Sequence, residues 1–463
     1  MQRKAAKLNF EMISVIMALA WPTIIEQLMQ TAVQYIDTAM VGSLGTEATA
    51  AVGATTTVNW LIGSTISALG VGFLSFIARA HGEGDREKAS RASAQAVLAV
   101  LTAGTLFTVI TLSLSGVIPI WMQVDTSIRD LASQYFFILY MPMLPRAATI
   151  IFGTVLRSAG DTKTPMKVGI AVNIVNVVLN FLMIYPTRTL TVFGISFICP
   201  GFDLGVIGAA IASAIAFAVG GIYITIVLWL HPLVSPCGRS IKPDMTILKP
   251  CFKTAFPNML QRFGTSLGYV AFASMINSIG EIATAAHTIA NTVESAFYIP
   301  GYGMQTAAAT LAGNAYGAKD KQRLRDLASM FIPIEIILMI ISGGALFFLA
   351  PYLMDIFSDS PDVINLGTTV LRMVALSEPF YGFSIIMEGM MQGMGNTREP
   401  FFYNVIGMWG VRIVGTFICT QLLHYGLVSA WACMICHNLL LFVCFLVCYI
   451  TRRWNRLERP ELA

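Results

Sequence analysis

Asp37 could be a solvated charge near the outer interface, but apolar sequence continues past it through Met40, Val41 and Leu44, which places it inside a helix. A carboxylate inside such a stretch can hold a proton or a hard cation. Asn173, Asn176 and Asn180 are spaced by 3 and 4, which places them on one face of a helix. Their amide oxygens are hard ligands suited to an ion such as Na⁺, and they serve equally for interhelical hydrogen bonds. Spacing alone leaves both readings open. Glu26 lies eleven residues before Asp37, on nearly the same helix face. At 1.5 Å per residue the two stand roughly 16 Å apart, too far to share an ion. Glu26 is then either a cleft-lining or a paired charge. The second half carries Arg262, Glu294, Glu335, Glu378, Glu388 and Arg412, where Glu294 paired with Arg262 or Arg412 is the simplest arrangement. Glu26, Gln30, Gln34, Gln261, Arg262, Glu294 and Met391 are the candidate lining of a substrate cleft. Met391 belongs to a cluster with Met387, Met390 and Met394 that serves as adaptable apolar surface or as plain filler. His287, His437 and the Cys433-x-x-Cys436 pair read as packing residues, and no nucleophile–base pattern points to an enzyme.

These residues need elements to hold them, and the composition says which. Hydrophobic residues make up 56% of the 463 positions and charged residues 12%. A soluble domain carries about 25% charged residues, so lipid is the solvent. Apolar blocks such as Val97–Met122, Val206–Leu230 and Phe331–Leu353 each reach the ~20 residues that cross a bilayer. In lipid a lone segment satisfies its backbone only as a helix. The expected helices are 14–43, 52–77, 94–122, 131–156, 166–186, 206–231, 250–278, 287–312, 329–353, 365–392, 400–423 and 427–450. The first block is too long for a cleavable signal peptide. Basic residues gather in alternate loops, while the others hold only Arg129 and Arg188. By the positive-inside rule both termini are cytoplasmic, in a multi-pass protein of the inner cell membrane. The net charge of +4 reflects these loops and not a nucleic-acid partner.

The chain repeats itself. Pro22 pairs with Pro257, Gly45 with Gly280, Gly82 with Gly317, Asp85 with Asp320 and Gly160 with Gly395, each at an offset of 257 − 22 = 235. A constant offset over some 140 residues is a strong repeat signal. The match then slips through an insertion around Pro186–Phe202, placed in an outer loop. Two six-helix halves that start on the same side are parallel repeats. The expected domains are residues 1–235, with helices 1–6 and the start of the connecting loop, and 236–463, with helices 7–12.

Three segments carry a resemblance. They are Pro22 followed by Gln30-x-x-x-Gln34-Tyr35-Ile36-Asp37-Thr38-Ala39-Met40-Val41-Gly42-x-Leu44-Gly45; Val155-Leu156-Arg157-x-x-Gly160-Asp161-Thr162-x-Thr164-Pro165; and Ala286-His287-x-Ile289-Ala290 followed by Gly313-x-x-x-Gly317-Ala318. Together, in order, they resemble the multidrug and toxic compound extrusion (MATE) antiporters, closest to prokaryotic members on the DNA-damage-inducible side. The resemblance implies an all-α integral membrane fold of about twelve helices, arranged as a V-shaped two-lobed bundle with Pro22 as a hinge. It implies export of drugs or other organic cations in exchange for Na⁺ or H⁺, with no further cofactor and no partner beyond membrane lipid, by a monomer. It also assigns Asp37 to a cation site with Asn176, Asn180 and the hydroxyl of Ser213, where Na⁺ fits Asp37, Asn176 and Asn180. Asn180 stands where some relatives carry Asp, which weighs against a two-carboxylate proton site. Gln261 and Arg262 stand near the position of a coupling glutamate found in other branches. The alternative within the same superfamily is a lipid-linked oligosaccharide flippase, but the cleft-forming helices offer few basic residues for a diphosphate: Arg146, Arg262, Arg372 and Arg412.

Overall fold

The structure, a computed structural model, describes residues 2–122, 124–192 and 195–458. Arg459, one of the basic residues of the C-terminal segment, lies outside them. The apolar blocks are helices. The first half has α1 (Gln2–Gly42), α2 (Thr46–Gly82), α3 (Arg86–Leu114), the short α4 (Ile118–Trp121), α5 (Arg129–Tyr140), α6 (Met143–Ser158), α7 (Lys163–Met183) and α8 (Gly205–Leu230). The second has α9 (Met245–Asn277), α10 (Glu281–Gly317), α11 (Lys321–Phe357), α12 (Pro361–Ala375) and α13 (Glu378–Gly393). A run over 398–422 follows, in which α14 (Arg398–Val405) and α15 (Val414–Phe417) alternate with π-helical turns at Ile406–Ile413 and Ile418–Leu422, and α16 (Leu427–Ile450) ends the series.

Among the described residues, eight helices are long and apolar enough to cross a membrane, the run over 398–422 counting as one; two bent pairs raise the number to ten. The pairs α5–α6 and α12–α13 turn by 50° and 53° where unbroken helices were expected over 131–156 and 365–392. Pro142 lies in the first break and Pro379 in the first turn of α13, just past the second, and neither supplies a backbone N–H. The other two long helices, α9 and α10, span 33 and 37 residues but are more polar, with Asn258, Gln261 and Arg262 on one and His287, Asn291 and Glu294 on the other. The insertion around Pro186–Phe202 departs from the all-helical expectation. It is an antiparallel ribbon of β1 (Pro186–Val192) and β2 (Ile195–Phe202), with Arg188 opposite Cys199. The Arg188 guanidinium stacks on Tyr185 at 3.9 Å and Phe181 at 4.2 Å.

The 235-residue offset extends to the backbone. Shifted by it, α2 coincides with α10 and α6 with α13 at both ends, and α1 and α9 stop at matching residues, 42 and 277. Gly160 and Gly395 take matching left-handed φ values of +89° and +84°. Gly84 at φ +77° is matched by Lys319 at +55°, so the tight turn survives even where glycine does not.

Packing draws two compact units, cut differently from the linear repeat. One holds Met1–Gln27, Leu74–Asp85 and Lys249–Ala463; the other holds Leu28–Phe73 and Arg86–Leu248. The first has a core of Ile16 and Ala20 from α1 with Leu311, Phe331, Met387, Met391 and Phe445, and a second around Phe272, Val293, Leu346 and Trp431. Helices in lipid associate through close backbone approach at small residues, and this unit shows it. A Cβ on Gly82 would lie 1.9 Å from the Asn314 carbonyl oxygen, and one on Gly317 would lie 2.0 Å from that of Arg79. Since 79 + 235 = 314 and 82 + 235 = 317, the two contacts are the same contact made in both directions. Between them a Cβ on Gly313 would lie 2.7 Å from the Cβ of its own match, Ala78. Pro22 lies within α1, whose helix continues through it, and Thr23 Oγ1 donates to the Gly303 carbonyl at 2.9 Å. In the second unit the segment between α8 and α9 is tied to α3: Gln95 Nε2 donates to the Lys242 carbonyl at 2.9 Å, the Asp244 N–H donates to Gln95 Oε1 at 3.0 Å, and Arg91 pairs with Asp244.

Candidate functional site

The polar stripe on α7 faces inward as its spacing requires. Asn173, Asn176 and Asn180 are 9%, 6% and 1% exposed, while Ile174 and Val178 on the other side are 57% and 52% exposed. Asp37 on α1 is half-buried and meets this stripe within the second unit. Asn180 Nδ2 donates to Asp37 Oδ1 at 2.6 Å. That is the length of a charge-assisted bond, about twice as strong as a neutral one.

Asn176 connects the pair to α8. Its nitrogen donates to Asp37 Oδ1 at 2.8 Å and lies 3.2 Å from Oδ2, and its oxygen accepts from Ser213 Oγ at 3.0 Å. Two amides thus present N–H groups to the Asp37 carboxylate, and the Ser213 hydroxyl holds the Asn176 oxygen on the far side. The four residues come from three helices, which the sequence could align only in part. Tyr135 on α5, buried and within electrostatic reach of Asp37, was not anticipated. Nothing in its apolar surroundings marks it out in the sequence.

The residues offered as cleft lining divide between the units. Gln30 and Gln34 are exposed and belong to the second. Glu26, Gln261, Arg262, Glu294 and Met391 belong to the first, and Met391 is core. Gln261 Nε2 donates to Glu388 Oε1 at 2.8 Å, and Gln392 Nε2 donates to the same oxygen at 2.9 Å. Arg262 Nε donates to Asn258 Oδ1 at 3.1 Å, and its charge is felt by Glu388. Arg412 is the basic residue that acts on Glu294, and its guanidinium stacks on Phe272 at 4.1 Å. His287 packs edge-on between Phe272 and Trp431, at 5.5 and 5.9 Å. Phe272 is the 235-offset counterpart of Asp37. The second half therefore sets a ring beneath a fixed guanidinium where the first sets a carboxylate among amides.

Known proteins share this arrangement of helices. The "Probable multidrug resistance protein NorM" of Thermotoga maritima is 26% identical over 438 residues, covering 95% of this chain and 92% of its own. The "Probable multidrug resistance protein YoeA" of Bacillus subtilis is 24% identical over 430 residues, covering 89% and 87%. Among solved structures, MATE in complex with MaL6 superposes with a TM-score of 0.88 at 23% identity, over 96% of this chain and 97% of that one. A MOP superfamily transporter from Pyrococcus furiosus does so at 0.85 and 24% identity, over 96% of each. The sequence model of the MatE family matches twice, at residues 22–182 and 257–418, starting at the two prolines 235 residues apart. With both repeats matched and the helical fold shared along nearly its whole length, the chain belongs to the MatE family.

Proposed function

We propose that the chain is a secondary active exporter of small organic compounds, organic cations among them, driven by Na⁺ or H⁺ entering at Asp37. The observation that carries this reading is the quartet of Asp37, Asn176, Asn180 and Ser213. Exchange couples two ligands only if each biases the same conformational equilibrium. Asp37 is the charge through which a cation applies that bias. Turned toward Asp37, the amide oxygens of Asn176 and Asn180 would add hard ligands to the single carboxylate, which favours Na⁺ over H⁺. The names of the relatives support drug efflux as the physiological setting. The same reading places the protein in the inner cell membrane with both termini cytoplasmic, working as a monomer by alternating access.

The test is counterflow of a fluorescent organic cation in proteoliposomes, with the Na⁺ gradient and the pH gradient imposed separately. Export under an inward Na⁺ gradient at equal pH is the expected result. Export under a pH gradient alone transfers the coupling role to H⁺. Export under neither gradient overturns the reading.

A further inference from the structure

Glu335 lies on α11 with 0% of its surface exposed, and neither carboxyl oxygen has a hydrogen-bond partner. Its surroundings are made of glycine and apolar side chains. A Cβ on Gly301 of α10 would lie 2.5 Å from Glu335 Oε1, and one on Gly382 of α13 would lie 3.2 Å from Glu335 Cγ. Met339 and Ile385 close the same space. Glu378 on α13 is seated reciprocally: a Cβ on Gly343 of α11 would lie 3.3 Å from its Cβ, it is 2% exposed, and its Oε2 also lacks a partner. Glu335 and Gly343 are eight residues apart on α11, and Glu378 and Gly382 four apart on α13. Each acid therefore sits against a glycine of the other helix.

A fully buried carboxylate with no hydrogen-bond partner is among the least tolerable groups a protein interior can hold, and it neutralises itself by taking up a proton. Nor does the carboxyl of Glu335 strengthen the fold, since it makes no bond. The other titratable groups around the pair are Glu294 and Tyr298 on α10 and Tyr381 on α13, all within electrostatic reach of Glu378 or of one another. Tyr381 is already bonded to Tyr302, at 2.9 Å. Arg412 of the π-helical segment acts on Glu294 and stacks on Phe272 and on Tyr269 of α9. Among the described residues no cluster of three His, Cys, Asp or Glu could hold a metal ion, and the pair lacks the oxygen ligands a metal ion would need.

We propose that Glu335, with Glu378 beside it, is a proton-binding site in the unit that does not contain Asp37. Each carboxylate takes one proton to become a neutral carboxyl, and no other bond changes. Where H⁺ is exchanged for the exported compound, part of that proton movement passes through this site. That last step rests on the exporter reading above; the protonation itself does not.

The full-length protein in lipid nanodiscs, studied by infrared difference spectroscopy between neutral and alkaline buffer, tests the site. The wild type is expected to show the protonated-carboxyl band at neutral pH, and Glu335→Gln to lose part of it. Because the carboxyl makes no bond, Glu335→Gln should melt no lower than wild type. Glu378→Gln should remove the second part of the band and serves as the independent variant. Spectra of both variants identical to wild type overturn the proposal. In proteoliposomes loaded with ethidium, protons moved per ethidium should fall in Glu335→Gln, and an unchanged ratio overturns the transport role. A wild type that moves no ethidium sinks the exporter reading and leaves the infrared result to decide the site.

Discussion

Asn180→Ala removes one donor and one amide oxygen from the Asp37 site and nothing else from the quartet. The bond lost is the 2.6 Å contact from Asn180 Nδ2 to Asp37 Oδ1. A hydrogen bond to a charged group is worth about 1.5–3 kcal/mol, and each ~1.4 kcal/mol is a factor of ten in an equilibrium constant. The affinity for the coupling ion should therefore move by about tenfold to about a hundredfold. Its direction identifies the ion. Na⁺ loses an oxygen ligand, so the Na⁺ concentration giving half-maximal export rises. A proton competes with the Asn180 N–H for the carboxylate, so with H⁺ as the coupling ion the half-maximal proton concentration falls instead. The assay is export of a fluorescent cation from proteoliposomes, titrated with one ion at a time. Adding Asn180→Ala to Asp37→Asn should change nothing further, because residues that act as a unit are not additive. Half-saturation identical to wild type for both ions refutes the reasoning, since the shortest bond in the site would then carry no ion-dependent energy.

Asp37→Asn should abolish ion-driven export while leaving the melting temperature within a few degrees of wild type, and gradient-driven export by a well-folded variant contradicts the assignment. Gly82→Ala and Gly317→Ala each force a Cβ to within 2.0 Å of a backbone carbonyl oxygen, so each should cost about 1–3 kcal/mol or more, seen as a lower melting temperature in detergent. Gly344→Ala, with nothing within 4 Å, should be neutral or slightly stabilising, and equal melting of all three variants contradicts the packing argument. Single cysteines at Glu281 and Asp359, in a background free of native cysteines, should react with an impermeant thiol reagent from outside; reaction only after permeabilisation reverses the topology. Hydrogen bonds from Thr246 and then Arg91 hold the Asp244 carboxyl below its ordinary range. Its contribution is thus present above the unfolded value and lost as pH falls through the lowered one, so limited proteolysis of the segment between α8 and α9 should increase only under acid conditions, and a pH-independent cleavage rate contradicts this.

Repetition and polar spacing were legible; geometry between helices was not. The 235-residue offset read from Pro22 and Pro257 reappears in helix ends and turn angles because glycine and proline constrain the backbone wherever they stand. Asn173, Asn176 and Asn180 were readable as one face because 3.6 residues make a turn. Their meeting with Asp37 and Ser213 depends on how three helices pack, which no local pattern encodes, and only the family resemblance supplied it. Hydropathy measured the apolar part of each helix and missed its continuation into polar sequence, so α1 begins at Gln2 and not near residue 14. It also read the bent pairs as single helices, although Pro142 stands in one break and Pro379 just past the other. The ribbon at Pro186–Phe202 was placed as an insertion but not as strands. Glu335 was visible as a charge in an apolar run, but its lack of any partner is a property of packing alone.

The reciprocal contact of Gly82 and Gly317 with the carbonyls of Asn314 and Arg79 has a consequence for descent. A contact in which residue i meets j′ and j meets i′ is what two identical chains make across a two-fold axis. A half-length gene product, ending before the second repeat, could make this contact with another copy of itself. On that axis such a homodimer is confined to like pairs. Alanine against alanine would bring two Cβ atoms to 2.7 Å, so glycine against glycine is the pairing open to it. The present chain has Ala78 facing Gly313, a combination that identical subunits cannot encode. Duplication followed by fusion gives each side of the axis its own codon. From then on the two halves were free to diverge, and one now carries a carboxylate among amides and the other a guanidinium over a ring.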